Sequence, residues 1–199
     1  MKTEKILVVK RDTLFGKDKK NYFEGFRPIA EFDYRQIINN NLEFLPRDRM
    51  EEDPSYQQII PYCIFHHGKN LFYYKRTTKG GEKRLHDKIS IGIGGHVNTT
   101  DKKGDVILEA LKREFEEEII YEDKFDTKLI GFLNDDSNMV GKVHFGLVFL
   151  LSGSTPDIKV KETEMLEGKL AELKEIDLLK NKLESWSALS FDHVKSVLE

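Results

Sequence analysis

The stretch that most constrains this chain is DVILEALKREFEEEII, Asp105 to Ile120. At 100° per residue Leu108, Leu111, Phe115 and Ile119 fall on one side, so the segment is predicted to be an amphipathic helix with that side against a core. Asp105 suits the N-cap position, which runs the helix from there to Ile119 or Ile120. The acids are poorly placed for such a helix. Glu114, Glu116, Glu117 and Glu118 occupy its last turns, where the partial negative charge of the carbonyl end disfavours each carboxylate by a few tenths to about 1 kcal/mol. Like charges at i,i+4 add to the cost, so a compensating positive charge is expected.

Glu114, Glu117 and Glu118 are related as i, i+3 and i+4 and gather on one strip, while Glu116 points elsewhere. Ala110 lies one turn above Glu114 and is expected to leave open space over the carboxylates. Three convergent carboxylates are hard oxygen donors of the kind Mg²⁺ or Mn²⁺ prefers, and such a metal keeps waters and takes its remaining ligands from substrate phosphates. A metal would offset both the repulsion and the helix dipole. Arg113 is expected to turn away from this strip and to pair with Glu117 or hold a loop backbone. The competing reading is a solvated acidic face, the ordinary fate of a run of charge.

Composition narrows the classes. At 199 residues the chain accommodates one domain with an appended segment. Its 32 Lys+Arg against 35 Asp+Glu give a net charge of −3, which argues against nucleic acid and against an anionic membrane surface but leaves room for a small phosphorylated ligand in a local basic patch. The single cysteine, Cys63, excludes an intrachain disulfide, and it lies in an apolar strand where packing is its expected role. No apolar run is long enough to span a bilayer and no signal peptide opens the chain, so a soluble, cytoplasmic protein is expected.

KILVVKR (Lys5 to Arg11) reads as a strand and FDYRQIINNNLEFL as a helix that decays into asparagines. PRDRMEEDPSYQQ (Pro46 to Gln58) reads as a connector, which divides the chain into an N-terminal extension, 1–58, packed on or against a main domain, 59–199. From Ile59 the strands IIPYCIFHH and LFYYKR form a hairpin across GKN, followed by ISIGIGG, the acidic helix, TKLIGFLND, KVHFGLVFLL and GKLAELKEI. The closing segment is predicted to be a helix with Leu189, Val194, Val197 and Leu198 on one face and Ser187 or Ser190 as cap. The order of elements implies an α/β or α+β layered domain. The extension could cover a sheet edge, roof a pocket through Phe23, Phe26 and Phe44, or make a homodimer contact.

At the acidic helix the sequence resembles the Nudix, or MutT-like, pyrophosphohydrolases. The family's box is Gly, five residues, Glu, seven residues, then Arg-Glu-apolar-any-Glu-Glu-any-Gly-apolar. Arg113, Glu114, Phe115, Glu116, Glu117 and Glu118 match its second half, Ala110 stands where the family often has alanine, and Asp105 stands seven residues before Arg113 in the place of the first glutamate. The loop HVNTTDKKG between Gly94-Gly95 and Asp105 is about four residues longer than the family's, and Ile120 replaces the glycine that ends the helix, so the helix is expected to end differently. The resemblance implies an α/β fold, an α/β/α sandwich with a mixed sheet, over the region from Ile59 onward. It also implies Mg²⁺ or Mn²⁺ as cofactor on Glu114, Glu117 and Glu118. Asp105, Arg113 and Gly95 take structural roles, and one of the glutamates or a later carboxylate, Glu164 first and Glu162 next, deprotonates water.

The implied activity is metal-dependent hydrolysis of a diphosphate linkage in a nucleoside-diphosphate-type substrate. On the substrate side, the loop YYKRTTKGGEKRLHDKIS offers Arg76 and Arg84 as guanidinium grips for phosphate, with a soluble hairpin tip as the alternative. His96 follows the glycine pair and can touch a ligand or pack on the sheet, and His144 can line a cavity or satisfy a core hydrogen bond. Two other functions fit the resemblance: a nucleotide-binding regulatory module, and an isopentenyl-diphosphate-isomerase-like enzyme. The isomerase chemistry needs a cysteine near the loop, and IGIGGHV contains none.

Overall fold

The computed structural model describes residues 4–76, 88–101, 104–162 and 166–199, and of residues 76 and 166 the backbone alone. In chain order β1 (Lys5–Lys10), α1 (Arg11–Phe15), β2 (Gly25–Pro28), α2 (Arg35–Asn40), β3 (Glu43–Pro46) and α3 (Arg47–Met50) lead into the long strand β4 (Tyr56–His67). Then come β5 (Asn70–Arg76), β6 (Ile89–Ser90), β7 (Ile93–Gly94), α4 (Val106–Glu118), β8 (Ile119–Ile120) and β9 (Phe125–Asn134). The chain closes with β10 (His144–Gly153), β11 (Lys159–Val160), β12 (Leu166–Glu172), α5 (Leu173–Leu178) and α6 (Ser185–Leu198). This is a mixed α/β fold built on a large mixed sheet. Within that sheet β12, β5, β4, β10, β9 and β2 are successive hydrogen-bonded neighbours.

The chain divides into two compact units: Met1–Tyr62, Gly94–Lys112 and Leu129–Val148 form the first, and Cys63–Ile93, Arg113–Lys128 and Phe149–Glu199 the second. The boundary drawn at residue 58 in the sequence falls inside β4. In the first unit β1 is antiparallel to β3, with Lys5 opposite Pro46, and to β4, with Val8 opposite Gln58. Ile6, Leu7, Val8 and Val9 are all inaccessible to solvent instead of alternating, so both faces of β1 are covered. The connector contains α3, with Met50 buried, and its final residues, Gln57 and Gln58, are buried at the start of β4. Phe23 does not roof a pocket. It lies in an aromatic cluster with Phe15, Tyr34 and Phe145, where Tyr34 meets Phe132 at 5.0 Å and Phe145 at 5.1 Å in edge-on geometry. The Arg27 guanidinium lies 4.6 Å from the Phe23 ring and donates to the Tyr34 hydroxyl at 2.7 Å, and that hydroxyl in turn donates to the Asn21 carbonyl, so its burial leaves it satisfied.

In the second unit β5 pairs with β12 along its whole length, from Asn70 opposite Glu172 to Arg76 opposite Leu166. The GKN turn places Gly68 at φ +56, where a side chain is disfavoured. The helix α6 differs from its predicted orientation. Ser187, Ser190, Phe191 and Val194 are its buried residues, while Leu189 and Val197 are exposed and no side chain caps its start. The serines can be buried because each has a partner: the Ile91 amide donates to Ser187 Oγ at 3.0 Å, and Ser190 Oγ donates to the Trp186 carbonyl at 2.7 Å.

Tyr34 and Phe145 sit at 0 % exposure in one cluster. Tyr34→Ala and Phe145→Ala are each expected to lose about 3–5 kcal/mol in urea unfolding, whereas Leu178→Ala, at an exposed position, should change stability by about 0.5 kcal/mol or less. A Tyr34 effect as small as the Leu178 effect would show that the N-terminal segment folds apart from the strands it packs on.

Candidate active site on the acidic helix

The Asp105 carboxylate accepts the amides of Ile107 and Leu108 at 3.0 and 3.2 Å, and α4 starts at Val106. This N-cap satisfies two of the helix's otherwise unpaired donors and places negative charge at its positive end. The buried side carries Ile107, Ala110, Leu111 and Phe115, and it continues to Ile119. Two details differ from the sequence reading: Leu108 is only half-buried, and Ala110, at 0 % exposure, belongs to the core and opens no space over the carboxylates. Phe115 stacks on Phe65 of β4, with ring centroids 6.1 Å apart and planes 21° apart.

Fixing Phe115 inward fixes its neighbours. The Glu114 side chain is 17 % exposed and that of Glu117 58 %, while Glu116 and Glu118 are exposed. Arg113 does not turn away: its Nη1 lies 2.6 Å from Glu114 Oε1 and 3.5 Å from Glu117 Oε2. Burial pushes the Glu114 carboxyl above its ordinary pKa. Arg113 pulls it down, and the charges of Glu117 and Glu118 push it up again. Cys63 lies in the same surroundings. Its thiol is buried, donates to the Ile93 carbonyl at 3.3 Å, and is pushed up to about 12 by burial, with a further contribution from the Glu114 charge.

The helix ends without a left-handed residue. It passes directly into β8, whose Ile119 and Ile120 lie opposite Val160 and Lys159 of β11. The pairing continues one step further: the Lys161 amide donates to the Glu118 carbonyl at 2.9 Å and the Lys161 ammonium to the Glu116 carbonyl. A β-branched residue thus stands where glycine is usual because the chain continues extended and needs no positive φ.

In the first unit Gly94 packs tightly: an added Cβ would lie 3.1 Å from the side chains of both Ile60 and Tyr62. Gly95 is half-buried. The loop that follows is tied to β1 by the Leu7 amide on the Val97 carbonyl at 2.7 Å, and closed by the Asn98 amide on the Asp101 carboxylate at 2.8 Å. His96 Nε2 lies 2.7 Å from Gln58 Oε1 and 3.3 Å from His144 Nε2, while His144 Nδ1 lies 2.6 Å from the Val140 carbonyl. A carbonyl accepts, so His144 carries its proton on Nδ1, and its Nε2 accepts from His96. Sequence reasoning missed this network, although two glutamines in the apolar run SYQQIIPYCIF signal buried amides that need partners.

The side chains of Arg76, Arg84 and Glu164 lie outside the described residues, and Glu162 is exposed. Among the described residues no group of three or more His, Cys, Asp and Glu side chains converges closely enough to hold a metal ion. Glu114, Glu117 and Glu118 are nonetheless close enough for their charges to raise the Glu114 carboxyl, so the donor set fits a hard divalent cation in chemistry and charge without being a preformed cage.

No family model matches the sequence. Protein YmaB of Bacillus subtilis (strain 168) is 39% identical over 203 residues, covering 95% of this chain and 96% of that protein. The crystal structure of Tm1382, a candidate Nudix hydrolase, superposes with a TM-score of 0.83 at 29% identity, covering 98% of this chain and 100% of the other. The chain belongs to the Nudix hydrolase family. DR0079 from Deinococcus radiodurans shares the fold alone, with a TM-score of 0.51 at 12% identity over 77% of this chain and 91% of the other. As a Nudix hydrolase the chain acts on phosphoanhydride bonds, and α4 is the helix that carries the residues resembling the Nudix pattern. Among the described residues no helix is long and apolar enough to cross a membrane.

A carboxyl whose pKa is raised on folding contributes stability that is complete below the ordinary carboxylate range and is lost as pH rises through the folded value. Glu114→Gln, neutral throughout, is therefore expected to be more stable than the native chain near pH 8 without added metal, with the margin closing toward about pH 4. Chemical unfolding at a series of pH values checks this. A variant less stable at the alkaline end would mean that the Arg113 bridge outweighs the burial.

Proposed function

We propose that this Nudix chain hydrolyses a diphosphate linkage in a nucleoside-diphosphate-type substrate, with Mg²⁺ or Mn²⁺ as cofactor. The observation that carries the reading is Glu114: a largely buried carboxylate on the matched helix, held by Arg113 and crowded by Glu117 and Glu118. A divalent metal held by these three glutamates supplies charge neutralisation at the pyrophosphate and a more acidic water. Arg113 orients the Glu114 carboxylate through its 2.6 Å contact. The raised pKa suits Glu114 to take up a proton from water, since a base works best when its pKa approaches the working pH. Arg76, Arg84 and His96 are the proposed substrate contacts, with the guanidinium groups matched to phosphate oxygens, and Glu164 remains the proposed alternative base.

The contact of Cys63 with Ile93 puts a cysteine beside the very stretch, IGIGGHV, that lacks one in sequence. Its burial and a pKa near 12 keep it from meeting substrate or working as a thiolate, which supports hydrolysis over isomerisation.

The test is a phosphate-release screen over nucleoside triphosphates, nucleotide sugars, ADP-ribose, dinucleoside polyphosphates and coenzyme diphosphates, with and without Mg²⁺ or Mn²⁺. Metal-dependent release is expected, and Glu118→Gln should lower it at least about 100-fold with the fold intact. Undiminished activity in that variant would remove the assignment. Tight nucleotide binding without turnover would point instead to a regulatory module.

A further inference from the structure

From the two bonds that Lys161 makes to the end of the Nudix helix, we infer that Lys161 is the built-in cation of that helix and a positioning residue for Glu117 and Glu118. The last turn of α4 contains no basic residue and three consecutive exposed glutamates, so its carbonyls and carboxylates concentrate negative charge in one place. Lys161 answers this with two different groups. Its backbone amide takes the Glu118 carbonyl at 2.9 Å, extending the β8 to β11 ladder one residue into the helix, and its ammonium takes the Glu116 carbonyl. Cations are favoured at this end of a helix, and the unpaired carbonyls of the last turn need donors.

The consequence is geometric as well as electrostatic. The carbonyls of Glu116 and Glu118 bracket Glu117, so Lys161 sets the backbone from which the Glu117 and Glu118 side chains project. An acidic helix end left to itself would fray, and its carboxylates would spread under their mutual repulsion. The sequence conceals this role, because Lys161 lies 45 residues from Glu116 and reads as one charge in the charged run KVKETE.

The inference rests on the proposed metal reading for one of its two readouts. Lys161→Met removes the ammonium and keeps the backbone amide, and because Lys161 is exposed the variant should fold, as a native far-ultraviolet circular dichroism spectrum would show. The first readout is amide hydrogen exchange in metal-free protein, where Lys161→Met should exchange several-fold faster across Glu116–Ile120 and Lys161→Arg should stay close to the native rate. The second is Mn²⁺ binding followed by electron paramagnetic resonance, where Lys161→Met should bind about tenfold more weakly and Lys161→Arg should recover most of the loss. Unchanged exchange in Lys161→Met would overturn the inference, as would Mn²⁺ binding that is equal or tighter. If the native chain binds no Mn²⁺, the proposed function fails, and the exchange result decides the role of Lys161 by itself.

Discussion

The stack of Phe115 on Phe65 holds the Nudix helix at one rotational setting, and the placement of every acid follows from it. With Phe115 inward, the residue before it is pulled partly into the interior and the three after it are left in water. Glu114 is thereby separated from Glu116, Glu117 and Glu118 by environment while staying within reach of two of their charges. The Glu114 carboxyl is pushed above its ordinary range chiefly because the aromatic ring beside it must be buried and draws it out of water.

Counter-charge reaches this helix from two sides. Arg113 comes from within the helix and meets the side chains of Glu114 and Glu117, while Lys161 comes from the position just after β11 and meets main-chain carbonyls. The first acts on the carboxylates and the second on the backbone that carries them.

Much of this was legible in the chain. The helix of α4, its Asp105 cap, the hairpin across Gly68 and the strands after it follow from period, capping chemistry and turn residues, all of which act over a few positions. The departures have physical causes. Ser187 and Ser190 looked like caps and are buried, because hydrogen bonds to the Ile91 amide and the Trp186 carbonyl remove the usual cost of burying a hydroxyl. Ala110 looked like an opening and is core. The run from Pro46 to Gln58 looked like a linker, and its charges concealed a short helix and two buried glutamines whose amides reach the carbonyls of Met50 and Lys142.

By itself the sequence determined that an amphipathic helix with a Nudix pattern would carry a strip of glutamates, since helical spacing depends on nothing beyond neighbouring residues. Only the tertiary structure decided which glutamate is desolvated, that Arg113 faces Glu114, that Cys63 is buried against the Ile93 carbonyl, and that Lys161 closes the helix. Each of those depends on a contact or a burial that the fold creates, and the electrostatic worth of a charge is set by how much water the fold leaves around it.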